Sequence, residues 1–120
     1  MTRVECDPGI CGNSCIIDVT RVSNPDVVKA DKRKVRLKIK SDCKRVAGMT
    51  NELTEIDEGE VDEWAPIRPK GESKICQYAR QHRLCAACPV PSAILKAVEV
   101  EAGLAIPRDA HIKFVSTERH

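Results

Sequence analysis

Val35-Arg36-Leu37-Lys38-Ile39-Lys40-Ser41-Asp42-Cys43 contains the change of period that decides the fold. Val35, Leu37 and Ile39 alternate with Arg36, Lys38 and Lys40, which is the pattern of a strand with one buried and one solvated face. Ser41-Asp42 then supplies a helix N-cap signal, after which Val46, Met49, Leu53 and Ile56 recur at helical spacing. The spacing predicts a helix over 42–56 that stops near Gly59, with Cys43 in its first turn.

Upstream, Ser14 to Val22 is a second β-rich run, with Cys15, Ile17 and Val19 on one face and Ile16, Asp18 and Thr20 on the other. It is expected to pair with Val35–Lys40 in an antiparallel hairpin. The charged connection between them, from Ser23-Asn24-Pro25-Asp26 to Lys34, reads as a solvated loop. Ahead of the hairpin, Val4 and Cys6 alternate with Arg3 and Glu5 in a short strand that Asp7-Pro8-Gly9 ends.

Downstream, Glu58 to Lys70 is acidic and then broken by Pro66 and Pro69, a loop with Trp64 as its anchor. A helix is predicted from Glu72 to His82, with Ile75, Cys76, Tyr78 and Ala79 inward. Another runs from Pro91, where a missing N–H costs nothing, to Ala102, with Gly103 as its C-cap. After the turn at Pro107-Arg108-Asp109, Ala110, Ile112 and Phe114 alternate as a last strand. Strands early and helices late give an α+β fold: a small antiparallel sheet of Ser14–Val22, Val35–Lys40 and Ala110–Val115, with three helices packed on one face. At 120 residues the chain is expected to be a single domain over 1–120.

Composition narrows the function classes. A net charge of +2 provides no strong attraction to nucleic acid or an anionic membrane. Trp64, Tyr78 and Phe114 are the only aromatic residues, too few for base-stacking platforms, so no nucleic-acid partner is expected. No apolar run approaches the about 18 residues of a membrane span, and Met1-Thr2-Arg3-Val4-Glu5-Cys6 lacks a signal-peptide core. The expected location is cytoplasmic, where seven cysteines, an odd number, are read as metal ligands, reactive thiols or core residues rather than disulfides. The chain shows no Gly-rich phosphate loop, no H-E-x-x-H and no G-x-S-x-G, so none of these motifs assigns it an enzyme activity and the question stays open.

The cysteines divide by position. Cys6 and Cys15 fall on inward strand positions and Cys76 in a helix, where a free cysteine packs as a small hydrophobe. Cys11 precedes Gly12 in a turn, on no apolar stripe. Cys43 and Cys88 stand at helix N-termini, where the dipole and orphan N–H groups favour thiolate, although Cys43 also extends the core stripe of its helix. Cys85-Ala86-Ala87-Cys88 is a C-x-x-C, shared by redox, zinc and iron–sulfur sites. His82 stands three residues before Cys85 and is either a further ligand or a solvated helix end, while His111 and His120 read as surface residues.

The order of these cysteines resembles that of iron–sulfur scaffold proteins of the IscU/NifU type. Those have a Cys-Gly-Asp turn leading into a strand, a cysteine where a later strand meets a helix, and a His-Cys pair opening a C-terminal helix. The matching residues are Cys11-Gly12-Asn13 before Cys15-Ile16-Ile17-Asp18-Val19, Cys43 after Lys38-Ile39-Lys40-Ser41-Asp42, and Cys88 ahead of Pro91-Ser92-Ala93-Ile94-Leu95. Asn13 stands in place of the Asp and Ala87 in place of the His. The resemblance implies Cys11, Cys43 and Cys88 as ligands of zinc or a nascent iron–sulfur cluster. The run Cys88 to Ala97, with Glu101-Ala102-Gly103-Leu104-Ala105, also resembles a small uncharacterised family of archaeal and anaerobic bacterial proteins.

Three readings follow. In the first, Cys11, Cys43 and Cys88 bind zinc or an iron–sulfur cluster with Cys85 as fourth ligand, the alternatives being His82, Asn13 or water; the protein is then scaffold- or carrier-like, with room for a protein partner. In the second, the site does thiol chemistry, with Cys85 and Cys88 as a redox pair or Cys88 as a persulfide carrier. In the third, the chain is a non-catalytic interaction domain whose cysteines only pack. Oligomeric state is open in all three.

Overall fold

The computed structural model describes residues 1–22, 34–57 and 73–118. The fold is α+β, an antiparallel sheet carrying three helices on one face. In chain order the elements are β1 (Thr2–Cys6), β2 (Cys15–Val22), β3 (Lys34–Ser41), α1 (Lys44–Glu52), β4 (Glu55–Asp57), α2 (Lys74–Gln81) and α3 (Val90–Glu101). The strands lie side by side in sequence order, every neighbouring pair antiparallel.

The alternation read from the sequence sets the two faces. Cys15, Ile17 and Val19 of β2 and Val35, Leu37 and Ile39 of β3 are all buried, and the register places Ile17 opposite Ile39 and Val19 opposite Leu37. The other face is charged. Asp18 lies between Arg3 on β1 and Lys38 on β3, and its carboxylate accepts from Arg3 Nε at 2.6 Å and Nη2 at 3.0 Å. That pairing holds the Asp18 carboxyl below its ordinary range.

Over the apolar face, α3 packs against β1 and β2, α1 against β3, and α2 against α3 and α1. Val46 and Met49 of α1, Ile75 and Ala79 of α2, and Val90, Ile94, Ala97 and Val98 of α3 complete one core. Each fully buried large side chain contributes about 1.5–3 kcal/mol. Ser73 caps α2 by accepting from Cys76 N at 3.5 Å. Gly103, at φ +79, ends α3 as the sequence indicates, with Leu104 N returning to Glu99 O at 2.9 Å.

The structure corrects two elements. The helix expected over 42–56 is shorter: Cys43 is its N-cap and Leu53 its C-cap. Thr54 O accepts from Leu37 N at 2.7 Å and Ile56 pairs with Val35, so Ile56 belongs to β4 rather than to the helical stripe. The last strand is also absent from the chain's own sheet. Residues 110–115 have no regular structure and are exposed throughout. The connection over 23–33, the loop over 58–70 with Trp64, Glu72 at the expected start of α2, and His120 lie outside the described residues.

Candidate metal or thiol site

One end of the sheet gathers most of the cysteines. Cys6 ends β1 and pairs with Cys15, the first residue of β2. Cys15 in turn pairs with Ser41, the last residue of β3, and Cys43 follows two positions later as the N-cap of α1. Cys11 lies in the connection between β1 and β2, at the same end. There Gly12 adopts φ +68 and Gly12 N bonds Gly9 O at 2.9 Å. No atom lies within 4 Å of a Cβ built on Gly12, so backbone conformation rather than crowding calls for glycine.

Cys85 and Cys88 enter from the segment joining α2 to α3. Arg83 takes a left-handed φ of 57 just past α2, and Leu84 N closes back onto Ala79 O at 3.0 Å. The reversal is fixed further by Arg45 of α1, whose Nη1 donates to Arg83 O at 2.9 Å and to Cys85 Sγ at 3.8 Å. Cys88 N then bonds Cys85 O at 2.9 Å in a turn that delivers Cys88 to the start of α3.

All seven cysteines are free thiols; Cys11 and Cys85 are exposed, Cys43 and Cys88 half-buried, and Cys15 buried. Their electrostatics reflect the crowding. Burial first, and then the neighbouring thiols Cys6, Cys88 and Cys43, push Cys15 up to about 11. Cys6 is raised by burial and then by Cys88, Asp7 and Cys11. Cys88 is raised by burial, and Cys43, Cys11 and Cys85 add to the rise, while the Val90 N–H bonded to its sulfur opposes it.

The last result corrects the helix-terminus expectation for Cys88. The N–H donor is there, but desolvation and like charges outweigh it. Thiols that disfavour one another's anions are brought to ionise by a cation, because metal ions bind the thiolate form.

Among the described residues, no three of His, Cys, Asp or Glu are gathered closely enough, as they stand, to hold an ion. Cys6, Cys43 and Cys88 pack against the hydrophobic core, so part of each contributes to packing. Cys76 is half-buried on α2 and enters none of the thiol interactions just described. His82 turns away from the cysteines: its Nε2 lies 3.1 Å from Glu52 Oε2, and its Nδ1 lies beside Gly48 of α1. Asn13 is half-buried in the Cys11 turn. Sequence reasoning missed the part played by Arg45. Its position two residues after Cys43 reveals nothing about the segment beyond α2.

A protein-family model matches almost all of this architecture, from residue 2 to residue 114. The chain belongs to the DUF6951 family, a family of unknown function. No curated protein and no solved structure matches it. Membership therefore assigns no chemistry to these cysteines. No described helix is long and apolar enough to cross a membrane.

Proposed function

We propose that this DUF6951 protein is a small, non-enzymatic metal-binding protein of a reducing compartment such as the cytoplasm, with Cys11, Cys43, Cys85 and Cys88 as ligands of zinc or an iron–sulfur cluster. The observation that carries the reading is convergence. The β1–β2 and β3–α1 connections put Cys11 and Cys43 at one end of the sheet, and the α2–α3 connection brings Cys88, with Cys85 in the turn before it, within interaction range of both. Packing of a core does not call for Cys11 and Cys85, which are exposed. Ligation would draw the Cys11 and Cys85 turns inward, since zinc–sulfur bonds are about 2.3 Å long. Arg45 beside Cys85 would offset part of the negative charge that four thiolates leave around a divalent ion. The order of ligands along the chain is similar to that of the IscU/NifU-type scaffolds, which supports a carrier role toward a protein partner.

The test is metal stoichiometry in single variants. Cys43→Ser and Cys88→Ser are expected to abolish binding, while Cys6→Ser and Cys76→Ser leave it intact. Cys85→Ser measures the fourth position, where a weakened site would indicate Asn13 or water as substitute. Loss of metal in Cys6→Ser with retention in Cys88→Ser would refute the assignment.

A second reading rests on the same Arg45 contact. A guanidinium against an exposed thiol is a setting for nucleophilic sulfur, which would make Cys85 the attacking or persulfide-carrying thiol and Cys88 its partner. That reading requires metal-free protein in which Cys85 is alkylated faster than the other six cysteines.

A further inference from the structure

Among the described residues, one edge of the sheet is unpaired and an alternating apolar segment joins no sheet. Among them, β1 lies at the end of the strand order and pairs with β2 alone. Its inward residues Val4 and Cys6 stay half-buried rather than buried, so the apolar face is incompletely covered along this edge. Past α3, every described residue from Ile106 to Glu118 is exposed, with Ile112 91% and Phe114 86% accessible. An alternating apolar segment of this kind does not belong in water. It is also part of the family's common unit, since the match runs to residue 114.

We propose that residues 111–115 add to the β1 edge of a second copy of this chain, reciprocally, to form a two-fold dimer in which each four-stranded sheet gains a fifth, antiparallel strand. The segment and the edge are complementary in one antiparallel register. Phe114 then faces Val4 and Ile112 faces Cys6 on the apolar side. Lys113 faces Glu5 on the solvent side, and His111 faces Asp7 at the strand end.

The chain's own β1 is the poorer acceptor. α3 ends beside the start of that strand, with Glu101 accepting from Thr2 Oγ1 at 2.9 Å. A strand returning directly from there would run parallel to β1, in a sheet that is otherwise antiparallel, and would bring His111 toward Arg3. The second copy supplies the antiparallel edge, and each chain contributes one donor and one acceptor. Nothing in this arrangement depends on metal at the cysteines.

The experiment is light scattering coupled to size exclusion on the full chain, with reductant present so that no intermolecular disulfide contributes. The expected mass is twice 13.3 kDa. Ile112→Asp and Phe114→Asp alter exposed positions and should yield monomers that keep the helical far-UV circular dichroism signal. Lys113→Glu breaks two symmetry-related pairs and should weaken the dimer about two- to thirtyfold, and Glu5→Lys in the same chain should restore it. A monomer at about 100 μM, or a dimer untouched by both aspartate variants, overturns the proposal. So does a monomer whose amides at 112–115 are protected from exchange, because the segment would then be paired within its own chain.

Discussion

Replacing Glu101 by alanine should destabilise the protein by about 2 kcal/mol. Glu101 sits in the last turn of α3 and is only 13% exposed. Its carboxylate accepts from the backbone N–H of Arg21 at 2.9 Å and from Thr2 Oγ1 at 2.9 Å, so it joins α3 to β2 and to β1. The amide bond to a charged acceptor contributes about 1.5–3 kcal/mol and the hydroxyl bond about 0.5–1.5 kcal/mol. The N-terminal ammonium, 3.4 Å away and half-exposed, adds little. Against these, removing an acidic group from a helix C-terminus relieves about 0.3–1 kcal/mol of dipole repulsion.

Urea unfolding would read the balance as a fall in midpoint of about 1–2 M at unchanged m. The pH dependence gives a signature that simple loss of packing lacks. Burial pushes the Glu101 carboxyl up, but the bonds from Arg21 and Thr2, with the ammonium, outweigh it and hold the group below its ordinary value. Its contribution is therefore complete above the unfolded pKa of about 4.3 and is lost as pH falls through the folded pKa. The gap between wild type and Glu101→Ala should narrow as the solution is acidified below about pH 4. A variant within about 0.5 kcal/mol of wild type at neutral pH, or a gap that widens on acidification, would refute the reasoning.

Two further substitutions test local claims. Arg83→Gly should stabilise the protein by about 0.5–1 kcal/mol, since glycine relieves a left-handed side-chain residue yet keeps the carbonyl that Arg45 binds; thermal unfolding checks it, and a loss of stability would count against the turn geometry. Cys15→Ser should cost about 1–3 kcal/mol by placing a hydroxyl in the core, whereas Cys76→Ser, half-buried outside it, should stay within about 0.5 kcal/mol of wild type in the same assay.

The sheet faces were legible because alternation in β2 and β3 is nearly perfect, and a one-residue shift would bring Arg36 and Lys38 into the core. Helix ends were less so. Ile56 continues the spacing of Val46, Met49 and Leu53, and only its pairing with Val35, a contact across the chain, removes it from the helix. Ala110–Val115 alternates as a strand does, but alternation alone supplies no partner, and the segment is absent from the chain's own sheet. At the cysteines, the order along the chain suggested a shared site. The strand register sets Cys6 opposite Cys15 and Cys15 opposite Ser41, but among the described residues no three possible ligands stand close enough to hold an ion. The rise in the Cys88 pKa was not legible, since it depends on burial and on Cys43, Cys11 and Cys85, which sequence alone does not locate.

The measurement closest to the central claim is metal and sulfide analysis, with a visible spectrum, of protein purified without oxygen. A cysteine-ligated centre predicts either about one zinc per chain in a colourless protein, or iron with acid-labile sulfide and thiolate-to-iron absorption in a brown one. Either must disappear in Cys88→Ser and persist in Cys76→Ser. Metal-free protein that takes up neither zinc nor iron when reduced would contradict the account.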